Sequence, residues 1–450
     1  MHPSNHRQSL AGRRFLICHS IVHDLIGSTI VALDLATHLV DEGAEVVVYA
    51  AFIGDPAMTL FRDRRIEVVD DHGMEGRAFS DFDVVWVHSQ VLPERMVDEF
   101  VGQVPERMPD FVFLHMSAQH FAPDEHPYIH ELESRLSSLS LFISSETRRL
   151  LMPHFDGDVP TALYPNPTPV EFAQQPYAPR DAPASVLVVS NHATPELMEA
   201  KQVLRDRGLL VRHVGSTGEG QQLVSADLLD DVDVVVTIGK TVQYALVSGR
   251  PVYVYDRFGG YGYLDDDQLA YAQSRNFSGR GGRRLSAEQI ADEIVTGYAD
   301  AVLFGAAHRE EFVEAYSIDR VLPRVLAERR ARTIEPFPTS YHRMVRSAQS
   351  FGARFFHYWG HNANEVRNRQ ALTRDLEHER SVIESLLTTA ASLRVELERE
   401  QEESARARAM VVERDRQIDR IHRSWTFRIG RRLVRPISLL RGVTRRLVAR

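Results

Sequence analysis

Short apolar runs alternate with stretches of helical apolar spacing from Arg14 to Tyr298. Strands are predicted at Phe15 to Ser20, Glu45 to Ala50, Ile66 to Val69, Val84 to His88, Phe111 to His115 and Leu139 to Ser144. Continuous Val, Ile and Phe runs of this kind suit a sheet covered on both faces. Between the first two strands Ile30, Leu33, Ala36, Leu39 and Val40 share one helical face, and Gly43 stops that helix. Leu92 to Val101 and Tyr128 to Leu136 also read as helices. The alternation implies a doubly wound parallel sheet. His88 and His115 both fall where a strand ends, the edge at which such sheets bind ligands.

The pattern breaks at Tyr164-Pro165-Asn166-Pro167-Thr168-Pro169, and further prolines at 176, 179 and 183 mark a linker. It then restarts. Val186 to Val189 is a strand ending in Ser190-Asn191-His192, Pro195 to Arg207 a helix closed by Gly208, and Leu210 to Val214 a strand running into Gly215-Ser216-Thr217-Gly218-Glu219-Gly220. A β-α-β unit follows: the strand Val234 to Val236, a helix from Val242 to Val247 ended by Gly249 and Pro251, and the strand Val252 to Tyr255 with Asp256 at its carboxyl end. A further helix reads at about Ser286 to Tyr298.

The polar residue that stands out is Lys240, because the chain has only two lysines, Lys201 and Lys240. At a helix N-terminus a cation opposes the macrodipole, and a bound phosphate would reverse that. The plainer reading is a solvated lysine on an exposed turn.

After Gly360 neither glycine nor proline occurs until Gly430. Leu372, Leu376, Ile383, Leu386, Ala390, Leu393 and Leu397 follow a 3-4 alternation, the seam of a coiled coil. Val411, Ile418 and Ile421 keep the register, while Glu379, Glu400 and Arg414 interrupt it. Before the seam, Phe351, Phe355, Tyr358 and Trp359 are available to pack against a domain. Beyond it, the tail to Arg450 interleaves arginines with Trp425, Phe427, Ile429 and leucines. That is the composition of an amphipathic helix on anionic lipid, or else of a basic helix docked on the acidic body.

The expected organisation is a first Rossmann-like domain over residues 1–165, a linker over 166–184 and a second Rossmann-like domain over 185–340. A helix packing back over 341–364, a coiled coil over 365–424 and a basic tail over 425–450 complete it.

Charge and cysteine usage narrow the class. A net charge of −9 argues against nucleic acid as the main partner. The single cysteine, Cys18, excludes an intramolecular disulfide and fits a reducing compartment. No signal peptide or bilayer-spanning run is read, so the expected location is cytoplasmic, peripheral on the inner face of the cell membrane. Several motifs fail. Gly239-Lys240-Thr241 is similar to a P-loop, but Val234 stands where that motif needs glycine. Gly215 to Gly220 has its glycines in the wrong order for a dinucleotide fingerprint, and neither HExxH nor GxSxG is present.

Taken together, the chain resembles the glycosyltransferases of the GT-B fold, particularly the family 4-like group, from about Arg14 to Tyr298. The resemblance lies in FLICHSIVHDLIGST and HLVDEGAEVVVYA, in DVVWVHS and FVFLHMS, in LFISSETRRLL and LYPNPTPVEF, and in VRHVGSTGEG and ALVSGRPVYVYDRFGG. It implies two Rossmann-like doubly wound α/β domains facing each other across a cleft. It also implies transfer of a sugar from a nucleotide-diphosphate donor to a glycan or lipid-linked acceptor, with no bound cofactor and no metal. On that resemblance the donor side is Gly215, Ser216, Gly218, Gly239, Lys240, Thr241, Tyr244, Gly259 and Gly260. The acceptor side is Gly27, Ser28 and His88, and the catalytic candidates are His115 and Asp24.

The chain departs from the family where its paired glutamates would fall, near Val236 and Tyr244, and Asn191 and His192 stand where basic residues usually grip the pyrophosphate. Those departures keep open a non-catalytic sugar-binding or scaffolding subunit, and a related GT-B epimerase or polyol-phosphate transferase. A homodimer through the coiled coil and an anionic membrane surface under the tail are the partners expected besides donor and acceptor.

Overall fold

The computed structural model describes residues 10–432 except 89–90, 102–103, 120–121, 123–124, 127–129, 156, 175–176, 427 and 431, with backbone only at 370 and 374. It divides at residue 363 into two units.

The first unit holds two sheets. β1 (Arg14–Val22), β2 (Glu45–Ile53), β3 (Glu67–Val69), β4 (Val84–His88), β5 (Asp110–His115), β6 (Ser137–Phe142) and β7 (Thr161–Leu163) form a parallel sheet in the order β3-β2-β1-β4-β5-β6-β7. Helices α1 (Gly27–Asp41), α2 (Ala57–Asp63), α3 (His130–Leu136) and α4 (Ser145–Leu151) lie between its strands, and α5 (Glu171–Gln174) follows the linker prolines. The second sheet joins β8 (Ser185–Val189), β9 (Leu210–Val214), β10 (Val234–Thr237), β11 (Val252–Asp256) and β12 (Gly259–Tyr263) in the order β12-β11-β10-β8-β9. Only β12 runs antiparallel. Its helices are α6 (Pro195–Asp206), α7 (Ala226–Asp230), α8 (Lys240–Ser248), α9 (Asp266–Ser274), α10 (Ala287–Thr296) and α11 (Tyr298–Tyr316).

The strands form where β-branched and aromatic residues run continuously, and the central ones, β4, β10 and β11, are buried on both faces, as parallel strands between helical layers must be. The stretch Leu92 to Val101, expected as a helix, is a three-residue-per-turn segment over Glu94–Phe100. Before it Pro93 is extended (ψ 125°), so Leu92 and Pro93 stay outside the segment, and Leu92 N–H donates to Gln349 Oε1 (2.9 Å).

The second domain ends earlier than residue 340. The helix α12 (Ile318–Ala327) places Ile318, Val321, Leu322 and Val325 in the core of the first domain, with Leu35, Leu39 and Trp86. The two chain crossings lie side by side: Thr168 N–H donates to Tyr316 O (2.7 Å) and Ile318 N–H to Thr168 O (2.9 Å). The helix α13 (Thr339–Arg423) begins on the same domain, where Val345 and Phe356 are buried and Gly360 lies against the Phe52 ring. Of the aromatics expected to pack, Trp359 is part-buried against this core, while Phe351 and Tyr358 are exposed.

The second unit, taken by itself, is the continuation of α13 from Asn364. Its leucine stripe is exposed throughout. Of the basic tail, Trp425 and Ile429 are described and exposed, and residues 433–450 lie outside the described residues. No helix among the described residues is long and apolar enough to cross a membrane.

Candidate functional site

In each sheet the strand order reverses at one point, between β1 and β4 in the first and between β8 and β10 in the second. Ligands of doubly wound sheets bind at such crevices, beyond the carboxyl ends of the strands. A cleft of about 280 Å³ opens at the second crevice, lined there by Ser190, Asn191, His192, Thr237 and Asp256. Its opposite wall is Leu25, Ile26, Gly27 and Ile30 from the first domain, and Gln221, Gln222, Leu223 and Val224 close one side. The volume falls near the lower end of the roughly 300–1,000 Å³ usual for small-molecule sites.

The floor is a hydroxyl–carboxylate cluster. Ser190 Oγ donates to the Asp256 carboxylate, 3.0 Å from each oxygen, and accepts from His192 N–H (2.9 Å). Thr237 Oγ1 donates to Val189 O (2.9 Å), tying the ends of β10 and β8. Burial raises the pKa of Asp256, against the lowering effect of Ser190 and the nearby His192 and Arg257. Burial, then Arg257, lowers that of His192.

Gly215 must be glycine. Its φ is +137°, and a Cβ there would stand 1.8 Å from Ser190 O. The turn it makes lets Ser216 N–H donate to Asn191 Oδ1 and Ser216 Oγ to Asn191 O, both 2.9 Å. Beneath this loop lies the other lysine. Lys201 Nζ is 2.8 Å from His213 Nδ1, while His213 Nε2 lies 3.2 Å from Ser190 O. The geometry fixes a neutral imidazole that donates from Nε2 and accepts from the lysine.

Lys240 lines the cleft, but its charge is already met. The ammonium is 2.8 Å from Asp34 Oδ2 on α1 and donates to Pro167 O (2.8 Å). Tyr244 Oη donates to the same Asp34 oxygen (2.6 Å), and Phe172 stacks on the Tyr244 ring. The anion that relieves Lys240 at the start of α8 is therefore a carboxylate of the first domain. Burial lowers the Lys240 pKa, against Asp34, and raises that of Tyr244. Neither the solvated lysine nor a lysine reserved for phosphate describes it.

Of the residues singled out in the sequence, the cleft brings together Gly27, Gly215, Lys240, Thr241 and Tyr244. Ser216 is held on Asn191 beside it, and Gly218 packs where a Cβ would meet His213 O at 2.4 Å. Gly239 is the N-cap of α8 at φ +65°, its amide spent on Phe277 O. Gly259 and Gly260 are corrected away from the donor wall: they build β12, where Gly260 and Arg283 exchange backbone hydrogen bonds. A Cβ at Gly260 would stand 1.8 Å from Val254 O, so close backbone packing explains that glycine.

His115 is likewise corrected. It is 1% exposed, its Nε2 is 2.9 Å from Glu133 Oε1, and Phe142 and Phe155 flank the ring. Ser140 Oγ donates to Glu133 (2.6 Å), completing a core network that does not touch the cleft. His88 lies at the first crevice against His19, ring centroids 5.2 Å apart, both buried. Neither ring nitrogen of His88 has a partner among the described residues. Burial lowers both pKa values, His19 to about 4, so the pair is neutral near pH 7. Asp24 lies 3.6 Å from His23, just before the cleft residue Leu25, and Ser28 follows Gly27 at the start of α1.

Asp34, Ser190 and Asp256 were missed as site residues. Asp34 was legible as the one charge inside the apolar run Val31-Ala32-Leu33-Asp34-Leu35-Ala36. Further links join the domains: Glu146 pairs with Arg275 (2.8 Å) and Arg280, and Asn166 Nδ2 donates to Asn276 Oδ1 (3.0 Å). Among the described residues no cluster of three or more His, Cys, Asp or Glu could hold a metal ion.

Two doubly wound sheets facing across a cleft at their carboxyl edges define a two-domain Rossmann-like α/β protein. No protein-family model matches the chain, and neither does any curated protein. Among solved structures it is similar to Alr3699/HepE of Anabaena in complex with UDP and glucose, at 12% identity and a TM-score of 0.47 over 70% of this chain and 98% of that one. It is similar also to the glycotransferase of kitacinnamycin, at 14% identity and a TM-score of 0.44 over 71% and 100%. MurG of Acinetobacter baumannii gives 11% identity and a TM-score of 0.41 over 70% and 99%.

Proposed function

We propose that the chain is a metal-independent GT-B glycosyltransferase that moves a sugar from a nucleotide-diphosphate donor onto a cell-surface polysaccharide or a lipid-linked precursor. The observation that carries this reading is the cleft at the β8/β10 crevice, faced by the loop after β1, in a chain whose motifs run in family 4-like order. A nucleoside would lie against Val189, Val214, Leu223 and Val224, with its ribose hydroxyls within reach of Ser190 and Asp256. The diphosphate would face the first turn of α8, where the amides of Lys240 and Thr241 have no partner within the helix.

Chemically, an acceptor hydroxyl attacks the anomeric carbon as the bond to the diphosphate oxygen breaks. Because Asp34 already offsets Lys240, the leaving group's charge falls on backbone dipoles and on Arg257, beside Asp256. With His115 in the core, we assign the acceptor proton to Asp24, the residue before the cleft-lining Leu25. The basic tail would hold the enzyme on the cytoplasmic face of the membrane, which co-sedimentation with anionic and neutral vesicles tests.

The second reading, a non-catalytic sugar-binding or scaffolding subunit, is favoured by one observation. Tyr244 stands where the family's donor-ribose glutamate would be and gives its hydroxyl to Asp34. Turnover and calorimetry on a panel of nucleotide sugars separate the two. Transfer or slow hydrolysis with any donor supports the enzyme; binding without turnover leaves the sugar-binding subunit, and no binding the scaffold.

A further inference from the structure

From Leu372 to Ile421 one face of α13 carries an apolar stripe that no described residue covers: Leu376 is 65% exposed and Leu386 64%. Stripes of this size on a soluble protein mark interaction surfaces. We propose that this face is the seam of a parallel, in-register two-stranded coiled coil with a second copy of the same chain. The inference does not depend on the catalytic reading.

Two features of the sequence select that partner. With heptad position a at Leu376, Ile383, Ala390, Leu397, Val411 and Ile418, position d falls on Leu372, Leu386, Leu393 and Ile421. Ile383 with Leu386 is the combination, β-branched at a and leucine at d, that favours two strands in parallel. The flanking charges then choose the direction. In a parallel pair each g residue faces the e residue five positions on in the other chain. Asp375 thus meets Arg380, Glu403 meets Arg408, and Val382 meets Leu387. None of these g–e pairs from Asp375 to His422 joins like charges. In an antiparallel pair e faces e and g faces g, and the register centred on the seam sets Arg380 against Arg408 and sets Arg394 and Glu396 each against its own copy. Within one chain Arg380 and Arg394 make only exposed i,i+4 pairs with Glu384 and Glu398. Such pairs contribute little, so exchanging them costs little.

Glu379, Glu400 and Arg414 at d and Ser404 at a would meet their own copies, which confines the tight part of the seam to residues 383–397. The expected dimer is accordingly of about micromolar strength rather than nanomolar.

Sedimentation velocity on the full chain should show a monomer–dimer equilibrium. Leu386→Glu, a substitution at an exposed site of the single chain, should abolish it while leaving the melting of the body unchanged. Arg380→Glu should raise the dimer Kd about three- to tenfold, and Asp375→Arg in the same chain should restore it. Direction is read from Ile383→Cys and Val411→Cys, made separately, since native Cys18 is buried. Under mild oxidation a parallel, in-register pair links each variant to itself. A chain that stays monomeric at tens of micromolar overturns the proposal. So does a disulfide formed only when the two variants are mixed.

Discussion

The two crevices of this molecule are built at the same place in the same topology and are put to opposite use. In the first domain the ends of β1 and β4 are plugged by His19 and His88, buried and neutral, with three ring nitrogens unpartnered among the described residues. In the second, the ends of β8, β10 and β11 carry Ser190, Thr237 and Asp256, each hydrogen-bonded, and they line the cleft. A doubly wound sheet supplies the position of a site but not its chemistry. That comes from the residues at and just after the strand ends, and here only the second sheet keeps them hydrogen-bonded on the wall of a cleft.

The largest break in this contrast should come from the bond between the two halves. Lys240→Met leaves Asp34 charged and buried without its cation, and removing one partner of such a pair costs about 3–5 kcal/mol. Urea unfolding should show that loss, and Asp34→Leu in the same chain should recover much of it. A wild-type midpoint in Lys240→Met would mean that the pair is not formed.

Acid should next find the first crevice. His19 titrates near 4 in the folded chain against about 6.5 unfolded, so the unfolded state binds the extra proton between those values. Stability from this group is therefore complete above pH 6.5 and falls as pH drops toward 4, by about 3 kcal/mol in all. His88 acts in the same direction. The difference in unfolding free energy between wild type and His19→Leu, followed from pH 7 to pH 4, isolates this contribution from the carboxylates; a flat difference would refute it.

At the second crevice Gly215→Ala should cost about 1–3 kcal/mol, because alanine resists φ near +137° and its methyl meets Ser190 O. Nucleotide binding should fall with it, as Ser190 shifts. Smaller still is Asp256→Asn, which keeps the shape and exchanges a charge-assisted hydrogen bond for a neutral one, a change of about 1 kcal/mol. Its effect should appear mainly as weaker donor binding in calorimetry.

Every strand but β7 and β12, and the glycine turn at Gly215, were legible in the sequence, because continuous β-branched runs and a glycine between strand and loop are local signals. What was not legible depends on residues far apart. Asp34 and Lys240 are 206 positions apart, and nothing in the spacing of either announces the other. Residues 318–327 fall inside the span expected for the second domain; only packing places Val321 and Leu322 in the first. His115 misled because a histidine at a strand end looks the same in sequence whether it faces a cleft or, as here, Glu133.

The crossing at Thr168 has a mechanical consequence. In Pro165-Asn166-Pro167-Thr168-Pro169 the prolines offer no amide hydrogen, so Thr168 carries one of only two available, and it is spent on Tyr316 O. Its carbonyl takes Ile318 N–H in return, so both connections between the domains are riveted at a single point. Any opening of the cleft would have to turn about that point, and would break the Lys240–Asp34 and Glu146–Arg275 pairs on the way.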